Sequence, residues 1–132
     1  MVERRTFNLW VMLGPCESVP GEWYAHCLDM DLVTQGRSLQ HAFEMAIEAC
    51  GTVLAEETAA GLDPLRRRAP QESWDELFSL LGQGARMSLE QALAHGQVAR
   101  LAAQLVFHSE HVHKAPDIRA TWSTPEPVAL QA

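Results

Sequence analysis

Between Trp23 and Gly61 the chain passes through a short alternating strand, an acidic turn, a second short strand and one long amphipathic helix, with almost no spacer. Leu39, Ala42, Phe43, Ala46, Ile47, Cys50, Val53 and Leu54 recur at steps of three and four, which places them on one apolar stripe of a helix. His41, Glu44, Glu48 and Thr52 fall largely on the opposite side. Ser38 is placed to accept a hydrogen bond from a first-turn amide, and Gly61 to end the helix in a left-handed conformation before Asp63 and Pro64 stop it. Such a stripe must be buried, and the strands just before it are the nearest surface that can do so. One compact α+β unit is therefore expected.

Upstream, Phe7, Leu9, Val11 and Leu13 alternate with Thr6, Asn8, Trp10 and Met12, giving a strand whose second face is only partly polar. A breaker-rich loop (Gly14, Pro15, Ser18, Pro20, Gly21) leads to a second strand over Glu22 to Cys27, so the economical reading is a hairpin. Leu32 to Gln35 gives a third strand before Gly36. Further on, Ser73 to Phe78 starts a short helix that Gly82 and Gly84 end, and Ser88 with Gln91 reads as the cap of another, closed by Gly96. From Val98 to His108 apolar residues alternate again, consistent with a fourth strand that returns to the sheet. The helix propensity of Ala99 to Leu105 is the competing signal.

The order strand, strand, strand, long helix, with Trp23-Tyr24-Ala25-His26-Cys27-Leu28-Asp29-Met30, Thr34-Gln35-Gly36-Arg37-Ser38 and Ala42-Phe43-Glu44-Met45-Ala46, resembles the HicB family of bacterial antitoxins. The shared features are an aromatic-x-Ala strand, a small acidic turn, a Gly just before the helix and an Ala-rich helix start, within about residues 5 to 64. The resemblance implies a partial ribonuclease H-like fold and a partner, a small basic ribonuclease toxin of HicA type. Family members often add a C-terminal DNA-binding module. No ribbon-helix-helix or helix-turn-helix pattern follows Arg68, so the resemblance does not carry DNA binding over.

Composition fits this picture. At 132 residues, 47% hydrophobic and a formal charge of −7, the chain can bury one core, and its acidic balance argues against a general nucleic-acid binder, because phosphate neutralisation needs clustered Lys and Arg. No apolar run approaches the roughly 20 residues that span a bilayer, and no signal-like core follows Met1 to Arg5, so a cytoplasmic location and no membrane contact are expected. Cys16, Cys27 and Cys50 do not suggest a disulfide framework or a metal knuckle, and Cys50 lies on the helical stripe as a small core residue.

Four features compete for a functional role. Arg66, Arg67 and Arg68 could contact phosphate or RNA, but a charge run after a helix end is more often a solvated loop. His108, His111 and His113, with Glu110 and Asp117 near, could converge on a metal ion and support a hydrolase, although nothing in the spacing demands it. Asp29 and Asp31 could hold metal as in ribonuclease H-like nucleases, yet they lie in one turn, and no further ligands can be assembled. Trp122 is the one large anchor in a Pro-containing extended tail.

The resulting expectation is an α+β domain over 1–114, a three- or four-stranded mainly antiparallel sheet with one long helix on a face, followed by an extended tail over 115–132. It would act by binding and not by catalysis, without a cofactor or metal, through Asp29, Asp31 and Trp122. A homodimer or higher oligomer is expected, because Trp10, Met12, Val106 and Phe107 exceed what one helix covers and sheet edges carry unpaired amides. The alternatives are a stand-alone oligomeric scaffold or ligand-binding module of the same fold, and the histidine-based hydrolase.

Overall fold

The computed structural model describes residues 6–94, 98–108 and 112–122. Their order is β1 (Thr6–Pro15), β2 (Trp23–Cys27), β3 (Leu32–Gly36), α1 (Leu39–Ala59), a 3-10 turn (Pro64–Arg66), α2 (Gln71–Gln83), β4 (Ala85–Met87), α3 (Leu89–Ala94), β5 (Val98–His108) and β6 (Val112–Trp122). The strands form one sheet in the order β3-β2-β1-β5-β6-β4, with every neighbouring pair antiparallel. Its first four strands, with α1 packed on one face and short helices before β5 returns, are the α+β arrangement expected from the sequence.

Helix α1 begins and ends for local reasons. Ser38 is extended at φ −152°, and its hydroxyl accepts a 3.0 Å bond from the His41 amide. At the other end Gly61 sits at φ +77°, its amide donating to Thr58 O and that of Leu62 to Glu57 O, which closes the left-handed cap. Between these caps Leu39, Ala42, Phe43, Ala46, Cys50 and Leu54 are buried against Leu9, Val11, Leu13, Ala25 and Cys27, with Leu101, Ala103, Leu105 and Phe107 of β5 completing the core.

The opposite face of the sheet is also covered. Trp74, Leu77 and Leu80 of α2 enclose Met12, Leu28 and Ala102, with Trp10 and Leu81 at the margin. This explains the mixed character of β1, whose odd positions face α1 and whose even positions Trp10 and Met12 face α2. Two of the residues that argued for an uncovered face thus have cover within the chain, and Phe107 lies in the α1 core. Helix α2 starts two residues before Ser73, which is not its cap. Pro70, at φ −58° and without a side-chain bond, holds that position, because its ring already fixes a near-helical φ. Ser88 and Gln91 form the expected reciprocal cap, each side chain accepting from the other's amide. Gly96 lies outside the described residues.

Strands β4 and β6 were not legible beforehand. β6 joins the sheet beside β5, so residues 115–122, read from the sequence as the start of an extended tail, lie in a strand whose Ile118 to Trp122 pair with β5. Pro116 falls where the register shifts between Ala103 and Leu105 of β5, an irregularity that tolerates a residue without an amide proton. No helix among the described residues is long and apolar enough to cross a membrane.

Candidate functional site

The acidic turn between β2 and β3 is tied to both layers. The Trp10 carbonyl accepts from Leu28 N at 2.9 Å, and the Leu28 carbonyl accepts from Ala69 N at 2.8 Å, which pins the turn to β1 and to the loop before α2. Asp29 then turns inward: its Oδ2 accepts from the Trp10 amide at 2.6 Å. Asp31 turns outward. It sits at φ +50°, a conformation Asp tolerates better than most residues, and its Oδ1 lies 2.7 Å from Nε2 of the half-buried His26. A carboxylate only accepts, so that nitrogen carries the proton.

The two turn acids therefore differ in role. Burial pushes the Asp29 carboxyl above its usual range, opposed by the Trp10 amide and by Arg68. A raised carboxyl pKa means the folded chain holds more protons than the unfolded one between the usual value and the folded one, so this group's contribution to stability falls as pH rises through that window. Asn keeps an acceptor for the Trp10 amide but does not titrate. Asp29→Asn should therefore gain stability relative to the parent as pH rises from acid to neutral, read from paired urea titrations across that range. A gap that stays constant with pH would show that Asp29 is not held protonated by burial.

Beside the turn lies a half-open groove of about 340 Å³ lined by Met30, Asp31, Leu32, Val53, Glu57, Arg67 and Arg68. The arginine run closes one side, each member with a structural partner. Arg66 donates to Glu57 at 2.8 Å and to the Asp63 carbonyl at 2.8 Å, Arg67 pairs with the same Glu57, and Arg68 stacks 4.4 Å from the Trp74 ring centroid. One carboxylate in the last turns of α1 thus gathers two cations of the following loop.

A second, shallower groove of about 520 Å³ lies at the other end of β3, where Cys16, Glu17, Tyr24, Gln35 and Arg100 meet. The Tyr24 side chain packs against Gly14, at which a Cβ would come within 2.9 Å of it, and burial raises the phenol's pKa. Arg100 stands 3.6 Å from Glu76 of α2. The sequence reading missed this group, since its members are far apart in the chain and only the β1–β2, β2–β3 and β1–β5 ladders bring them together.

The histidines do not assemble within the described part. His108 Nδ1 lies 3.2 Å from the Thr6 hydroxyl, and His113 is paired by backbone with Val106. His111 and Glu110, and the side chains of His113 and Asp117, lie outside the described residues. Among the described residues no three of His, Cys, Asp or Glu cluster as metal ligands. Trp122 ends β6 opposite Val98, its side chain likewise outside the description. Cys27 and Cys50 are buried together in the α1 core, where a thiol–thiol hydrogen bond and burial push the Cys50 pKa up.

Compared with protein-family models, curated proteins and solved structures, the chain matches none.

Proposed function

We propose that this chain is a cytoplasmic binding protein of HicB-like antitoxin type, which neutralises a small basic ribonuclease by covering its RNA-binding surface. The observation that carries this reading is topological. Three antiparallel strands, a helix on one face and a further strand returning later are what the resemblance at Trp23 to Ala46 implies, and the order β3-β2-β1-β5 with α1 above it is compatible with that form. The charge of −7 suits a partner that binds RNA.

Within this reading the turn acids divide the work. Asp29 shapes the turn through the Trp10 amide, and Asp31 presents its carboxylate to the partner, held by His26. Trp122 is the proposed anchor. Rim charges mainly set the rate of encounter, whereas a buried aromatic sets residence time.

The test is a search for a short basic reading frame beside the gene for this chain, whose absence counts against the proposal, and co-expression with its product. Growth should be rescued and the two proteins should co-purify. Asp31→Asn should slow association and flatten its salt dependence. Trp122→Ala should speed dissociation, at a cost of about 2 kcal/mol of affinity. Absence of rescue, or a purified pair that does not bind, removes the proposal.

A further inference from the structure

The open edge of the sheet is self-complementary. Among the described residues strand β3 ends the sheet on one side, and its five residues, Leu32-Val33-Thr34-Gln35-Gly36, contain no charge, no proline and no register shift. Edges of solitary sheets are usually protected by such features. The opposite edge, β4, is three residues long with Arg86 at its centre.

The ladder fixes which way the β3 amides point. The Leu28 amide donates to Trp10 O and that of Cys16 to Glu22 O, so in the β1–β2 pair the hydrogen-bonded residues of β2 are Tyr24 and His26. Trp23, Ala25 and Cys27 then bond β3, through Gly36, Thr34 and Leu32. The N–H and C=O of Val33 and Gln35 consequently face outward, and the Val33 side chain is 57% exposed.

Helix α1 leans over the same edge with an uncharged ridge. Val53 shares a groove with Leu32, whereas a Cβ on Gly51 would meet Phe107 of β5, so the flank carrying Met45, Ala49 and Val53 lies on the β3 side. These three recur at every fourth position and are each half-buried.

We propose that a second copy of this chain docks here, β3 against β3 across a two-fold axis at Thr34, with the two Met45–Ala49–Val53 ridges in contact above. In that register Val33 lies opposite Gln35 of the second copy, and all four outward amide and carbonyl groups on each strand are paired. Thr34 then faces its own copy in the close, non-bonded position, where Thr–Thr pairs form hydrogen bonds. The same register sets Asp31 and Arg37, which flank the strand, toward each other across the axis. A second copy fits this edge because the residues of β3 carry no charge of their own and the register sets Asp31 against Arg37, so that two chains of −7 meet through a contact that is neutral overall.

This inference does not depend on the antitoxin reading, and its test uses the lone full-length chain. Sedimentation at micromolar concentration should give a dimer, and Val33→Lys at an exposed position and Ala49→Glu at a half-buried one should each weaken it at least about tenfold without loss of helical signal. Thr34→Cys should yield a covalent dimer on mild oxidation that the parent does not form. Hydrogen exchange of the unaltered protein gives a readout that requires no variant: the Val33 and Gln35 amides should exchange as slowly as paired strand amides and speed up on dilution. A monomer throughout, a dimer indifferent to both charged substitutions, or fast exchange at Val33 and Gln35 under all concentrations would overturn it.

Discussion

Gly36→Ala should cost this protein about 3 kcal/mol or more, at or above the upper end of what overpacked sites lose. Gly36 is buried at the end of β3, directly beneath the first turn of α1. A Cβ there would stand 2.3 Å from the Ala42 nitrogen and 2.7 Å from both Ala42 Cα and the His41 carbonyl carbon. All three are helix backbone, which cannot swing aside as a side-chain tip can. Relief requires moving the start of α1 off the strand, and that would disturb the Ser38 cap and draw Leu39, Ala42 and Phe43 from the core. The expected result is a large fall in the urea midpoint, or no soluble folded protein. A shift worth less than about 1 kcal/mol, an ordinary value for a tolerated substitution, would mean that α1 can rise from β3 freely.

The same position shows what could and could not be read beforehand. Gly36 was visible as one element of a family-like pattern, but its reason, backbone packed on backbone, belongs to the fold and not to local conformation. The strongest periodicities came through because each has one dominant face: the α1 stripe, the alternation of β1 and the return of β5 over Val98–His108. For β5, alternating burial between α1 and the opposite layer prevailed over the helix propensity of its alanines. β6 stayed hidden because Pro116 and several polar residues interrupt its pattern, and a register irregularity makes room for them. β4 has only three residues, too few for any period to register.

The candidate turn was legible as an acidic pair, but the direction of each acid was not. Asp29 and Asp31 are two apart in one turn, and nothing local says that one bonds a neighbouring strand's amide while the other faces His26. That difference is set by β1, whose Trp10 amide lies within reach of only the first of them. The arginine run was read as either a phosphate contact or a solvated loop. Its geometry is a third case, in which Glu57 and Trp74 use the cations to fasten the loop to α1 and α2.

Phe43→Ala should destabilise by about 3–5 kcal/mol, the range for removing a buried aromatic ring and leaving part of its volume empty. The helical stripe alone ranked Phe43 and Ile47 alike. The fold separates them: Phe43 is 3% exposed within the α1 core, whereas Ile47 is half-buried at its margin. Ile47→Ala therefore removes contacts on one side only, and water or neighbouring side chains can fill the gap, so its cost should fall below the roughly 2–5 kcal/mol of a fully buried isoleucine. Against the 5–15 kcal/mol that typically separates folded from unfolded chains, the first change consumes a large share of stability and the second a small one. Chemical denaturation of the two variants beside the parent reads the difference directly. Equal losses would place Ile47 as deep as Phe43 and rotate α1 about its axis relative to the sheet, and a negligible loss at Phe43 would mean that the stripe does not face the core.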